Sequence, residues 1–273
     1  MPMKNMLVRA LSGSVYVAMI IGATLAGQNY FFALIVLFTV LGMVELQKLL
    51  NTKSEIDILT RILDILAALS VIFGIYGTYA FSEAFAILFI VLPVLYIPLR
   101  MVLAVSQISE NPSRATMYSI FSLIYIALPL LLLLSTYCMD WQLVLLTFVM
   151  IWLNDTGAYI VGVSIGKHRL CERLSPKKSW EGFWGGFTFC VAAGVSYSFI
   201  FADGANWLIY GIYAALVSIL STYGDLFESM IKRTVGVKDS GNLIPGHGGI
   251  LDRIDSLLAV APLSFIMTFL LNL

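Results

Sequence analysis

The chain has 273 residues, of which 60% are hydrophobic and 12% are charged, and its mean hydropathy is +0.92. A soluble domain carries about 25% charged and about 45–50% apolar residues. The composition therefore excludes an ordinary water-soluble protein and predicts an integral membrane protein. Because 16 basic and 16 acidic residues cancel to a formal net charge of zero, only the distribution of charge can indicate a function.

Apolar segments long enough to cross a bilayer recur along the whole chain. A membrane-spanning helix needs about 20 mainly apolar residues. The first such segment lacks a convincing small-residue cleavage site, so it is predicted to be a retained helix rather than a signal peptide. The predicted segments are residues 10–27, 30–47, 59–80, 84–104, 115–136, 141–165, 183–202, 206–230 and 250–271. The predicted fold class is all-α, a polytopic bundle of about nine transmembrane helices.

The basic residues fall in alternate connections between these segments. They lie before the first segment (Lys4, Arg9), between the second and third (Lys48, Lys53, Arg61), between the fourth and fifth (Arg100, Arg114), after the sixth (Lys167, Arg169, Arg173, Lys177, Lys178) and between the eighth and ninth (Lys232, Arg233, Lys238, Arg253). Because Lys and Arg accumulate on the cytoplasmic side, the N-terminus is predicted to be cytoplasmic and the C-terminus outside. The short, extension-free chain is typical of a bacterial inner (plasma) membrane protein.

Polar residues divide the chain into two regions. Residues 1–140 are predicted to be a membrane-helix scaffold with few buried polar groups, and residues 141–273 a catalytic membrane-helix region of the same integrated domain. The sixth segment carries Asn154 and Asp155 near its end. An ionisable group at membrane depth is costly and by default indicates a functional site facing the bundle interior. The alternative is a carboxylate near the interface that binds a neighbouring helix.

The connection after the sixth segment is basic. It contains Ser175, Lys177 and Lys178 in a predicted Ser-Pro turn that leads into the next helix. This arrangement suits phosphate oxygens, because lysine supplies point charges and the helix N-terminus supplies backbone donors. A positive loop that contacts anionic lipid headgroups explains the same residues equally well.

Residues 224–255 have the highest density of polar groups. Asp225, Glu228 and Lys232 fall at i, i+3 and i+7, which places them on one face of a helix. Asp252 and Asp255 are likewise three residues apart at the start of the last segment.

A glycine-rich turn lies between these two groups. Its sequence is Pro245-Gly246-His247-Gly248-Gly249, and its glycines can present backbone N–H groups to an anion. Carboxylates at the ends of two neighbouring helices can converge on Mg²⁺, which usually takes one or two carboxylates together with phosphates and water. A metal ion with nearby cations matches the needs of phosphoryl or nucleotidyl transfer. The alternative is a helix-end salt-bridge cluster without a ligand.

One long motif resembles the signature of phosphatidate cytidylyltransferases, also called CDP-diacylglycerol synthases: Ser229-x-x-Lys232-Arg233-x-x-x-x-Lys238-Asp239-x-x-x-x-x-Pro245-Gly246-His247-Gly248-Gly249-x-x-Asp252-Arg253-x-Asp255. Residues 175–182 and 155–159 resemble two further motifs of that family. The resemblance covers roughly residues 150–260, whereas the first 140 residues agree only in being apolar helices.

The resemblance implies a reaction, its cofactors and its partners. CTP and phosphatidic acid would give CDP-diacylglycerol and pyrophosphate in a reaction that requires Mg²⁺, with Asp225 and Asp252 as metal ligands. K⁺ is implied as a second cation at the same site. The expected partners are CTP, phosphatidic acid, the lipid bilayer and a second copy of the chain, and no nucleic acid is expected.

The predicted site residues follow from the motifs and the resemblance together. The catalytic set is Asp225, Asp252, Lys232 and Arg233. The substrate-binding set is Asn154, Asp155, Ser175, Lys177, Lys178, Glu228, Lys238, His247, Gly248, Gly249, Arg253 and Asp255. Because a phosphate monoester is largely dianionic at neutral pH, the reaction needs no general base, and His247 is predicted to donate to phosphate or to organise the loop.

Two other functions are compatible with parts of this pattern. The first is a related membrane transferase or kinase that uses CTP on another lipid or on a polyprenol. The second is an ion-binding transporter or channel, which should show a polar pathway through both halves of the bilayer. The charges of this chain gather on one side, which disfavours transport.

Overall fold

The computed structural model describes residues 3–51, 56–81, 83–106, 111–204, 206–244, 246 and 248–271. Its helices are α1 (Met3–Ala26), α2 (Gln28–Leu50), α3 (Ile58–Ala80), α4 (Glu83–Ser106), α5 (Pro112–Ser122), α6 (Leu128–Met139), α7 (Trp141–Ile165), α8 (Trp180–Phe201), α9 (Trp207–Thr234) and α10 (Leu251–Leu271). Each predicted apolar segment coincides with helical structure, which confirms the mainly helical membrane fold.

Within the described ranges, seven helical segments are long and apolar enough to cross a bilayer, judged by length and composition alone. They are α2, α3, the combined α5–α6 segment, α7, α8, α9 and α10. Helices α1 and α4 contain shorter apolar stretches, Leu11–Ala26 and Val91–Ser106. The predicted number of nine crossings and the orientation of the termini therefore stay predictions.

Helices α5 and α6 are joined by one π-helical turn, Leu123–Ala127. Pro129, the second residue after this turn, has no backbone N–H to donate, so the regular ladder of the helix cannot continue through it. The N–H of Leu128 instead donates to the carbonyl of Leu123, five residues earlier. Single π-turns of this kind occur inside longer α-helices, and here the turn joins α5 to α6.

The basic connection between α7 and α8 forms a β-hairpin, and this corrects the predicted Ser-Pro turn. Strand β1 (Arg169–Cys171) pairs antiparallel with strand β2 (Ser175–Ser179), and Arg169 lies opposite Ser179. Pro176 is tolerated because a two-stranded ladder leaves one edge of each strand unpaired. Ser179 then caps α8, accepting a hydrogen bond from the N–H of Gly182 at 3.1 Å.

The chain divides into two compact units. The first contains the described residues of Met1–Cys138 and Asp239–Arg253, and the second contains Met139–Lys238 and Ile254–Leu273. The segment Asp239–Arg253, which the sequence analysis assigned to the catalytic region, thus packs with the N-terminal helices. The functional division at residue 140 stays a prediction.

In the second unit, α7 and α8 approach each other closely through glycine. A Cβ atom added to Gly186 would lie 2.6 Å from the carbonyl oxygen of Asn154, and one added to Gly185 would lie 2.5 Å from the side chain of Val161. Small residues at a helix interface let two backbones come into contact, which is a main source of helix association in membranes. This packing places the Asn154–Asp155 turn of α7 directly against α8.

The first unit contains a buried polar cluster, although few buried polar groups were predicted there. Asp64 is fully buried and accepts hydrogen bonds from Gln47 at 2.8 Å and from the hydroxyl of Tyr96. Arg100 was counted among the connections, but it lies within α4, is only 2% exposed and donates to Ser119 at 3.1 Å. The prediction of few buried polar groups and the placement of Arg100 in a connection were therefore both wrong. A single polar residue among apolar neighbours gives no sequence signal that it faces another helix.

The close contact at Gly186 generates a stability prediction. Alanine is favoured over glycine in a helix by about 1 kcal/mol, but at Gly186 the added methyl group would overlap the backbone of α7, which costs about 1–3 kcal/mol when a packed interface is overfilled. We expect Gly186→Ala to lower the thermal midpoint in detergent. Gly22→Ala is the matched control, because no described heavy atom lies within 4 Å of its added Cβ. Equal midpoints for the two variants would contradict the packing account.

Candidate functional site

Helix α9 carries three of the predicted site residues, Asp225, Glu228 and Lys232, and it packs closely on α10 beside Asp225. A Cβ added to Gly224 would lie 3.0 Å from the carbonyl oxygen of Asp255. The hydroxyl of Ser256 donates to the carbonyl of Ser221 at 3.0 Å. This contact brings Asp255 near Asp225, so that the two carboxylates interact electrostatically.

The hairpin contributes a lysine to the same region. The Nζ atom of Lys178 lies 2.5 Å from Oδ2 of Asp225, and both side chains are about one third exposed. The hydroxyl of Ser229 lies 3.4 Å from the other carboxylate oxygen of Asp225. On the same strand, Lys177 is exposed and Lys178 is half-buried.

A cavity of about 280 Å³ lies in the second unit beside this ion pair. Its polar lining includes five predicted site residues, Asn154, Asp155, Lys177, Lys178 and Asp225, together with Ser179 and Thr222. Its apolar lining includes Tyr159, Leu170 and Phe183. The cavity therefore combines two lysines and two carboxylates with an apolar wall.

A second cavity in the same unit has a volume of about 350 Å³. It is lined by apolar and neutral residues that include Trp141, Leu146 and Phe201 and contains no charged side chain. Chemistry on phosphates needs charged groups, so we assign the candidate site to the smaller cavity.

Asn154 and Asp155 have different surroundings. Asn154 is 2% exposed, and its Oδ1 accepts a hydrogen bond from the hydroxyl of Ser218 at 2.6 Å, which ties α7 to α9. Asp155 is exposed at the cavity and interacts electrostatically with Asp255. The geometry thus gives Asn154 a bracing contact and leaves Asp155 oriented toward the cavity.

Lys232 and Arg233 make contacts within the C-terminal turns of α9. Lys232 is 8% exposed and forms an ion pair with the fully buried Glu228 one turn earlier. Arg233 is exposed, and its guanidinium donates to the carbonyl of Val237 at 2.7 Å. These two cations stabilise the end of α9 and the turn that follows it. Lys238, which was predicted to bind substrate, is exposed.

The signature segment, residues 239–251, is held by carboxylates in the first unit. Asp252 accepts hydrogen bonds from the backbone N–H of Gly249 at 2.8 Å and of Ser240 at 3.0 Å. The Gly249 amide, which was predicted to face a bound anion, therefore donates to Asp252 in this structure. Gly248 adopts φ +81°, in the left-handed region that glycine enters without strain.

The remaining predicted residues are placed as follows. Arg253 is exposed, and its carbonyl accepts a hydrogen bond from Tyr16 at 2.9 Å. Ser175 opens strand β2 opposite Cys171 and does not line the cavity. His247 lies outside the described residues.

The oxygen donors that could hold a metal ion are divided between the two units. In the part of the chain that the structure describes, no three His, Cys, Asp or Glu side chains form a ready-made metal site. Asp225 belongs to the second unit and Asp252 to the first. Their carboxylates are still the kind of donor that Mg²⁺ takes together with substrate phosphates and water, so the donor chemistry fits the ion.

Sequence reasoning missed Glu45. Its carboxylate accepts hydrogen bonds from the N–H groups of Ile250 and Leu251, both at 2.9 Å. The available signal was the same one that identified Asp155, a lone acid in an apolar helical segment. It was overlooked because the first 140 residues were interpreted as scaffold.

Comparison with known proteins supports the resemblance. The sequence model of the Cytidylyltransferase family matches residues 7–271. The chain is 43% identical to a phosphatidate cytidylyltransferase of Staphylococcus saprophyticus over 148 residues, which cover 54% of this chain and 56% of the relative. It is 45% identical to that of Thermotoga maritima over 128 residues (45% of this chain, 47% of the relative).

A third relative is the phosphatidate cytidylyltransferase of Brucella suis, 39% identical over 155 residues, which cover 57% of this chain and 56% of the relative. The chain spans about half the length of the curated relatives it matches. The family match, in contrast, extends over residues 7–271. The chain therefore belongs to the cytidylyltransferase family.

Proposed function

We propose that the protein is a phosphatidate cytidylyltransferase. A phosphate oxygen of phosphatidic acid attacks the α-phosphorus of CTP, the bond from that phosphorus to the bridging oxygen of the β-phosphate breaks, and CDP-diacylglycerol and pyrophosphate form. The observation that carries the proposal is the cavity that places Lys177 and Lys178 beside Asp155 and Asp225. Its support from outside the structure is the family match and the names of the relatives.

The two lysines are proposed to bind phosphate oxygens. Two polyanionic substrates repel each other, and the catalytic task is to neutralise that charge and hold the reacting groups together. Lys178 is held in place by Asp225, and the exposed Lys177 presents a second ammonium group to the same cavity. Lysine serves this purpose as a point charge.

The site needs no proton acceptor for this reaction. The second pKa of a phosphate monoester is about 6, so the attacking phosphate is largely dianionic at neutral pH. The described residues that line the cavity include no histidine. His168, the one histidine that the described ranges include, is instead bound to Glu181 at 2.5 Å.

We propose Mg²⁺ as the cofactor, with Asp225 and Asp252 as its protein ligands. When bound, the ion would neutralise phosphate charge. Asp155 and Asp255 would add negative charge that favours a cation, and K⁺ is proposed as the second cation on the strength of the resemblance. A homodimer is proposed on the same ground.

The proposed membrane arrangement follows from the basic residues. Nine crossings with a cytoplasmic N-terminus and an outside C-terminus would put the hairpin and the signature segment on the cytoplasmic side of a bacterial inner membrane, where CTP is available. The acyl chains can then stay in the bilayer. The apolar wall formed by Tyr159, Leu170 and Phe183 suits the apolar part of a lipid whose phosphate lies at the two lysines.

The ion pair at the cavity generates a prediction for activity. Lys178→Met and Asp225→Asn should each lower the rate of pyrophosphate release from CTP, in the presence of phosphatidic acid and Mg²⁺, by about 100-fold or more, because loss of one preorganised electrostatic group typically costs about 10²–10³ in kcat. Release is measured with purified protein in detergent.

Lys167→Met and Asp203→Asn are the matched controls, since both residues are exposed and neither lines the cavity. The controls should retain wild-type turnover. Near-normal turnover in Lys178→Met or Asp225→Asn would contradict the assignment of the site. Release that proceeds with another lipid, but not with phosphatidic acid, would change the acceptor.

The proposed orientation can be tested by cysteine labelling. In a chain whose three natural cysteines are replaced by alanine, Lys167→Cys should react with a membrane-impermeant maleimide only in inverted vesicles. Asp203→Cys should react in intact cells. Both positions are exposed. Labelling of both from the same side would show that the predicted alternation is wrong.

A further inference from the structure

The carboxylate of Glu45 accepts three hydrogen bonds from the signature segment, which follows it by 195 to 206 residues in the chain. The N–H of Ile250 donates to Oε1 at 2.9 Å, and the N–H of Leu251 donates to Oε2 at 2.9 Å. The hydroxyl of Ser240 donates to Oε2 at 3.0 Å. One side chain from α2 thus binds both ends of the segment.

Two of these donors lie at the N-terminus of α10. The first N–H groups of a helix have no partner within the helix, and the positive end of the helix dipole favours a negative charge. Hydrogen bonds that involve a carboxylate are about twice as strong as neutral ones. Glu45 therefore caps α10 from a different helix and fixes where α10 begins.

Ser240 connects Glu45 to Asp252. Its hydroxyl donates to Glu45, while its backbone N–H donates to the carboxylate of Asp252 at 3.0 Å. Asp252 also accepts from the N–H of Gly249 at 2.8 Å. The orientation of the Asp252 carboxylate thus depends on a segment that Glu45 holds in shape.

The same carboxylate accounts for two glycines of the segment, Gly241 and Gly249. A Cβ added to Gly249 would lie 2.3 Å from Oε2 of Glu45, and one added to Gly241 would lie 2.8 Å from Oε1. Any larger side chain at these positions would displace Glu45. This supplies a structural reason for glycine that does not require a bound phosphate.

We propose that Glu45 is a positioning residue that holds the signature segment and thereby orients the carboxylate of Asp252. The inference rests on the proposed function, which gives Asp252 its role as a metal ligand. Glu45 itself touches neither substrate nor metal in this account. It acts through Ser240 and the N-terminus of α10.

The test uses Glu45→Gln, which keeps the size of the side chain but removes its charge and one acceptor oxygen. In protein without metal or substrate, we expect amide hydrogen exchange in peptides covering Ile250 and Leu251 to become about tenfold faster. Mn²⁺ affinity, measured by electron paramagnetic resonance, should fall about 10–100-fold, the usual effect of removing a group that orients a metal ligand.

The kinetic signature separates positioning from a general loss of fold. Glu45→Gln should lower kcat about tenfold or more with an unchanged KM for phosphatidic acid. Glu172→Gln is the matched control, because Glu172 is exposed in the hairpin turn, and it should match wild type in all three measurements. If Glu45→Gln does not fold, Ser240→Ala is used instead, because it removes only the hydrogen bond from the Ser240 hydroxyl to Glu45. It should show changes in the same direction but of smaller magnitude.

Two results would overturn the inference. Unchanged exchange at Ile250 and Leu251 would show that Glu45 does not hold the segment. Faster exchange with Mn²⁺ affinity and kcat equal to those of the control would show that the segment does not orient Asp252. If wild type binds Mn²⁺ and Glu45→Gln shows the faster exchange, but wild type does not use CTP, the proposed function would be overturned instead.

Discussion

The cost of placing charge in an apolar protein governs the structure. Only 12% of the residues are charged, and an uncompensated charge away from water is expensive. Several of the charged side chains that leave water therefore pair with a side chain of opposite charge or accept hydrogen bonds. In the second unit, Glu228 pairs with Lys232 and Lys178 pairs with Asp225. In the first unit, Asp64 accepts hydrogen bonds from Gln47 and Tyr96.

This constraint explains how a chain built almost entirely of helices can form a reactive site. Ion pairs fix polar groups that remain partly accessible, as for Lys178 on strand β2 and Asp225 on α9. Glycine contacts between α7 and α8 hold the frame around them. The Lys178–Asp225 pair can then offer an ammonium group and a carboxylate in fixed positions, which is the preorganisation that phosphate chemistry requires.

The sequence predicted the helical framework well, because a membrane-spanning helix needs an uninterrupted run of about 20 mainly apolar residues. Helix α7 begins and ends at the predicted residues 141 and 165, and the i, i+3, i+7 spacing correctly placed Asp225, Glu228 and Lys232 on one helix. Five of the predicted site residues line one cavity. Their roles in binding and catalysis stay predictions.

The sequence did not reveal features that depend on contacts between distant residues. The hairpin over residues 169–179 was missed because Ser-Pro is a common turn signal and a five-residue strand has little pattern of its own. Glu45 and Arg100 were missed because each is a single polar residue in an apolar helix, and only the tertiary structure shows which neighbour it faces. The signature segment was recognised, but its packing with the N-terminal helices was not.

The most direct test of the proposed function follows the α-phosphate and the γ-phosphate of CTP separately. Protein in detergent with Mg²⁺ and phosphatidic acid is supplied with CTP labelled at either the α- or the γ-phosphate, and the extracted lipid is counted. Transfer of cytidylyl predicts label in the lipid from α-labelled CTP and none from γ-labelled CTP, which should appear in pyrophosphate. Label in the lipid from the γ-phosphate alone would identify a CTP-dependent kinase and contradict the account.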